Sequence, residues 1–146
     1  MTSQLNVDTI VDKAGSSGPS LPNTTTIKIS NTSTNVSDGG AVTQNTVQGL
    51  CKAWVNFNGS GTVATRDTHN ISSINDVTTG QYEPNFSNNM ASANYTVTLV
   101  NGDNHYVTTL HNSLVQAGSY RMHNLNNSGS YADSTIVMTN VNGDLA

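Results

Sequence analysis

The sequence predicts an all-β fold: an antiparallel β-sandwich of jelly-roll-like character, preceded by an extended N-terminal arm. Three observations lead there. Asn, Thr and Ser supply 58 of the 146 residues, while Glu occurs once, at Glu83. Thr favours strands and Asn and Ser favour turns and caps, so this composition disfavours a helical bundle. The run from Cys51 to Asn58 alternates Cys51, Ala53, Val55 and Phe57 with Lys52, Trp54, Asn56 and Asn58, the period of a strand with one buried face. Further short alternating runs recur between turn residues from position 62 to the end, the spacing of a sandwich.

Taken in order, the chain divides into an arm and linker over 1–45 and a sandwich over 46–146. In the arm, Leu5 and Val7 alternate as in a short strand and Ile10 follows in a polar setting. Gly15, Gly18, Pro19 and Pro22 deny helix and central strand, marking a linker. Thr24 to Ile29 is β-prone. Ser30 to Gly40 is a polar tract, either a loop or an extended segment along a neighbouring subunit. Val47, Leu50 and Trp54 fall at i, i+3 and i+7, a helical stripe that competes with the strand for Trp54.

Asn58-Gly59 after the central strand predicts a tight hairpin turn, with Thr62 to Thr65 as the returning strand. Ile71 and Ile74 flank two serines. Tyr82 to Phe86 reads as a strand that Pro84 confines to an edge or bulge. Tyr95, Val97 and Leu99 alternate, and Asn101-Gly102 predicts a second hairpin into His105 to Leu110. Tyr120 and Met122 alternate with Arg121 and His123. Thr135 to Thr139 forms the last strand, ended by Asn142-Gly143.

The apolar fraction is 34% with a net charge of −4. Such a chain is short of core for a lone domain, and subunit contacts are expected to supply the missing burial. Three Lys and two Arg are too few to follow a phosphate backbone, so nucleic acid is not an expected partner. No apolar run reaches membrane-spanning length, so membrane insertion is not expected. The start carries no secretory signal pattern. Cys51 is the only cysteine, which rules out an intrachain disulfide.

Chemistry-bearing groupings are sparse. His69, His105, His111 and His123 show no metal-ligand spacing, and no metal or cofactor is expected. Three symmetry copies of one His around an axis would be the remaining route to a metal. Glu83 with Asp76 or Asp67 is the sole carboxylate grouping near the central block, and those two Asp suit turns better than glycosidase chemistry. Asp103 beside Asn101 and Asn104 hints at calcium without enough acidic ligands. Trp54 is read either as a subunit-interface anchor or as a sugar-stacking platform beside Asn56 and Asn58, the interface being favoured.

The residues Lys52-Ala53-Trp54-Val55-Asn56-Phe57-Asn58-Gly59, Gly61-Thr62-Val63-Ala64, Arg66-Asp67 and Asn70-Ile71-Ser72-Ser73-Ile74 resemble a block found in virion proteins of tailed bacteriophages, many of them marine. Those proteins are mostly tail-fibre or appendage components. The likeness continues more loosely through Tyr82 to Phe86 and Met90 to Tyr95, and Leu5 to Ile10 is similar to the opening of such chains. The resemblance implies a non-enzymatic virion protein, made in the host cytoplasm: a short tail-fibre or appendage subunit, assembled as a homotrimer and attached to other virion proteins through its arm. It leaves two alternatives, a capsid decoration, knob or head-fibre protein, and an adhesin tip that contacts a host-surface glycan. The interface residues expected on this reading are Leu5, Val7, Ile10, Val47, Leu50 and Trp54.

Overall fold

The computed structural model describes residues 29–30, 32–36, 43–103 and 107–146, with Val107 in its backbone alone. Two sheets of four strands each face one another across a common core. The first sheet holds β3 (Cys51–Asn58), β4 (Ala64–His69), β7 (Thr96–Asn101) and β10 (Val137–Asn142), in the order β4-β3-β10-β7. The second holds β5 (Ile71–Thr78), β6 (Gln81–Phe86), β8 (Val107–Val115) and β9 (Tyr120–Leu125), in the order β5-β6-β9-β8. Every pairing is antiparallel. The antiparallel sandwich expected from the alternation is the observed fold.

Part of the segment read as arm and linker carries local structure. β1 (Thr34–Val36) and β2 (Thr43–Asn45) pair as a small antiparallel hairpin, followed by one helical turn, α1 (Thr46–Gly49). Asn45 caps that turn, its Oδ1 accepting from Gln48 N at 2.9 Å. Leu5, Val7, Ile10 and the Gly/Pro linker lie outside the described residues.

The period of two in β3 puts Ala53, Val55 and Phe57 in the core, at 1% exposure or less. β10 brings Val137 and Val141, β6 brings Tyr82 and Phe86, and β9 brings Tyr120 and Met122. Two tyrosines tie the sheets together. Tyr120 Oη lies 2.6 Å from Thr139 Oγ1 on the facing sheet, and Tyr82 Oη donates to the Gly59 carbonyl at 2.8 Å and to Asp133 at 3.1 Å. Burial raises both phenol pKa values, with Asp133 adding to the rise at Tyr82. Tyr95, which donates to the Gln116 and Ser119 carbonyls, is pushed up to about 12 by burial. Such hydroxyls are buried without loss because each finds a partner.

Three expectations need correcting. Asn58-Gly59 is not a two-residue turn: Asn58 ends β3 opposite Ala64, and the loop carries its positive φ at Gly61. Gly59 is held instead by its N–H to Ser134 O at 2.8 Å and by the Tyr82 hydroxyl. The hairpin itself stands. Asn101-Gly102 is not a hairpin turn at all, because β7 pairs with β10 and β8 with β9 in the other sheet. The Asn101 side chain accepts from Asp103 N and Ser134 Oγ, and Gly102 N donates to Ile136 O, so these residues anchor a crossover. Finally, Pro84 sits on β6, an inner strand. The β6–β9 ladder closes at Gln81 and Tyr82, lapses through Glu83 and Pro84, and resumes as a bridge between Asn85 and Ser119. The proline occupies the gap where its missing N–H costs nothing.

The passage from β4 to β5 is made by one residue. Asn70, at φ 55°, is the sole non-glycine with positive φ among the described residues. Its Nδ2 donates to the Lys52 and Asn88 carbonyls, each at 3.1 Å, and its Oδ1 accepts from Asn88 N at 2.7 Å. Asn tolerates the left-handed region, and its amide locks the corner between sheets. Asn70→Ala should therefore lower unfolding free energy by about 2 kcal/mol, combining the left-handed strain with lost hydrogen bonds. Asn70→Gly, which removes only the bonds, should fall between Ala and wild type in a denaturant titration.

Candidate functional site

The exposed face of the first sheet carries the residue most suggestive of recognition. Trp54 pairs with His69 on β4 and with Asn140 on β10, and Asn140 pairs in turn with Thr98 on β7. The row Thr98, Asn140, Trp54, His69 thus crosses the sheet, with Trp54 half-buried and the other three exposed. Beside it runs Val100, Met138, Asn56 and Asp67, in which Val100 is 45% exposed.

The two ends of this face are closed differently. At one end, the Lys52 ammonium is buried and donates to the carbonyls of Val47 and Leu50, holding α1 to the start of β3. The side chain of Asn142 adds a bond to Leu50 O, and Gln48 bonds Asp144. At the other end, Arg66 reaches from β4 to Thr135 O at 2.5 Å and to Asn56 Oδ1 at 3.3 Å. Asn58, expected to share the platform, donates to Ser60 O within its own loop.

The helical stripe of Val47, Leu50 and Trp54 is broken, because α1 ends at Gly49 and Trp54 belongs to β3. Leu50 is nevertheless 52% exposed and Val47 half-buried. Both lie at the end of the face that Trp54 occupies, through the Lys52 bonds. Leu5, Val7 and Ile10 fall outside the described residues.

The carboxylates do not converge. Asp67 lies on β4 in the first sheet and Glu83 on β6 in the second. Asp76 is on the neighbouring β5 but pairs with Tyr82, while Glu83 pairs with Asn75, so alternation sets Asp76 and Glu83 on opposite faces. Glu83 accepts two bonds from Arg121, at 2.6 and 3.1 Å. Asp67 accepts from the next residue's amide, Thr68 N, at 2.8 Å. The Asp103 carboxylate is occupied by Ser134 Oγ at 2.6 Å and by Thr135 N and Oγ1. These bonds hold its pKa below the usual carboxylate range. Asp103 thus fastens the start of the β7–β8 crossover to the segment that leads into β10. Among the described residues no group of three or more His, Cys, Asp or Glu side chains gathers as a metal site.

The outward face of the second sheet holds a cluster that sequence reading did not assemble. His111 on β8 and His123 on β9 stack edge-to-face with centroids 5.0 Å apart, and Tyr131 meets His123 at 5.1 Å. The alternation of Tyr120 and Met122 already set Arg121 and His123 on one face. Bringing His111 and Tyr131 to them required the β8–β9 register and the fold-back of residues 126–131. Comparison with protein-family models, curated proteins and solved structures returned no match.

Proposed function

We propose that the chain is a non-enzymatic structural subunit of a tailed-phage virion, a short tail-fibre or appendage protein that associates with copies of itself and attaches through its N-terminal segment. The observation supporting this is the role of the phage-like block in the fold. Ala53, Val55 and Phe57 fill the core, Gly59 receives the Tyr82 hydroxyl, Arg66 straps Thr135 and Asn70 turns the sheet corner. Each is committed to scaffold, which is what a module selected for shape and assembly requires. A threefold assembly follows from the fibre analogy, with Val47, Leu50 and Trp54 at the subunit contact.

Native mass measurement of the full chain across a dilution series tests the association. A trimer is expected, and Leu50→Asp should weaken it about tenfold, near 1.4 kcal/mol, lowering the unfolding midpoint only at concentrations where the wild type is assembled. A monomer at every concentration would remove the assembly reading. Antibody labelling of intact particles separates a tail appendage from a head decoration by where the label sits.

A second reading rests on the Trp54 row. Asn140, His69 and Thr98 offer exposed polar groups beside an indole, the arrangement that stacks and hydrogen-bonds a sugar. On a glycan array, Trp54→Ala should then abolish signal while Tyr131→Ala, on the opposite sheet, leaves it intact. Loss of assembly without any glycan signal supports the scaffold reading alone.

A further inference from the structure

We infer that the His111–His123–Tyr131 stack is an acid-sensitive latch that holds the outer half of strand β8 and the 126–131 turn against the second sheet. β8 is an edge strand among the described residues, and its ladder to β9 is irregular between Leu110 and Val115. His111 falls inside that irregular stretch. Its contact with the His123 ring ties to β9 a length of strand that regular pairing holds poorly. On the other side, the 126–131 turn folds back through Asn126 N to Ser130 O at 2.9 Å and a bridge between Leu125 and Tyr131. That return sets the Tyr131 ring on His123. One imidazole therefore joins two peripheral segments to an inner strand.

The environment of His123 favours its neutral form. Its Nε2 is buried and has no hydrogen-bond partner among the described residues. The groups facing it are His111 from β8, Arg121 on its own strand, the neutral Gln81 opposite on β6, and Tyr131 from the turn. Glu83 is held by Arg121 at 2.6 Å. Burial, His111 and Arg121 all act against the imidazolium and hold the His123 pKa below the ordinary imidazole range. A proton added to this ring would place a charge beside Arg121 with one ring nitrogen buried and unpartnered.

Because folding lowers the proton affinity of His123, the unfolded chain binds the proton more readily. The stabilisation is complete above the ordinary imidazole pKa and is lost as pH falls from there through the lowered native value. The segments released first are those with least other support, β8 beyond Leu110 and the 126–131 turn.

Amide hydrogen exchange of the full chain, compared between about pH 7.5 and about pH 5, tests the latch together with an NMR titration of the imidazoles. Protection factors in residues 110–115 and 126–131 should fall several-fold at the lower pH, while β3 and β10 keep theirs. His123→Phe, which keeps an aromatic ring without a titrating nitrogen, should make the pattern flat. His111→Gln should weaken the pH response and raise the His123 midpoint. Should His123→Phe not fold, the wild-type titration decides: a His123 midpoint at or above that of an unfolded-state histidine overturns the proposal. So does exchange in β8 and the turn that does not respond to pH, or a response that His123→Phe retains.

Discussion

Removing residues 137–146 should abolish cooperative folding rather than trim one end of the molecule. β10 is not peripheral: each of its six residues pairs with β7 on one side, and they run along β3 on the other. Its inward residues Val137, Thr139 and Val141 are buried to 5% exposure or less, and Thr139 bonds the Tyr120 hydroxyl of the facing sheet. Burying each valine contributes about 1.5–3 kcal/mol, and the truncation also strips partners from two buried strand edges. Total stability of a domain this size is only about 5–15 kcal/mol, so little would remain. The truncated chain should show no sigmoidal denaturant transition and a collapsed amide spectrum. Removal of Leu145 and Ala146 alone is the control. Leu145 is 45% exposed and these two residues contribute one bridge and one terminal bond, so that variant should keep its transition. A folded, cooperative Met1–Ile136 fragment would show that β3 and β7 can pair directly, contrary to this account.

The same topology explains which parts of the structure could be read from sequence. β3, β6 and β9 announce themselves because one face is core and the other is not, and Phe57, Tyr82 and Tyr120 alternate with polar neighbours. Turn chemistry was less reliable. Asn-Gly pairs mark places where the backbone bends, but Asn58-Gly59 and Asn101-Gly102 are tied down by distant groups, Tyr82, Ser134 and Ile136. No local pattern contains those partners. A crossover and a hairpin look alike until pairing is known, since both need a bend after a strand. Asn70 is the reverse case. It looked like an ordinary polar residue, and only its φ and four-way amide bonding reveal a corner.

The candidate sites follow this division. The outward placement of Trp54 opposite Val55 and Phe57 was visible in the period of β3, whereas His69, Asn140 and Thr98 join it through register across three strands. The expected stripe of Val47, Leu50 and Trp54 dissolved because a four-residue turn ends before the strand begins. What replaces it is a buried lysine: Lys52 holds the carbonyls of Val47 and Leu50 and so sets α1 at the end of the Trp54 face. A lysine within a strand pattern gives no hint that its ammonium will cap a helical turn preceding it in the chain.

Gly80→Ala should be the most damaging single substitution of a small residue, costing about 4 kcal/mol. Gly80 turns β5 into β6 at φ +65°, a conformation that costs an L residue about 1–2 kcal/mol by itself. The larger part comes from space. A Cβ there would sit 2.6 Å from Ala132 N, 2.7 Å from Asn124 O and 2.8 Å from Ala132 O. All three are backbone atoms, so no rotamer change relieves the contact. The strand end must move, and with it go the bonds from Asn124 N to Gly80 O and from Gly80 N to Asp133, each 2.7 Å. Asp133 also accepts from Tyr82, so the disturbance reaches the core. Gly61 supplies the internal control. It has nearly the same φ, +68°, yet a Cβ added to it meets nothing within 4 Å. Gly61→Ala should thus lose only the conformational share, about 1 kcal/mol, and the difference between the two unfolding free energies measures the close approach at Gly80. Equal losses at the two positions would mean that the β5–β6 turn can shift away from residues 124 and 132 at no cost.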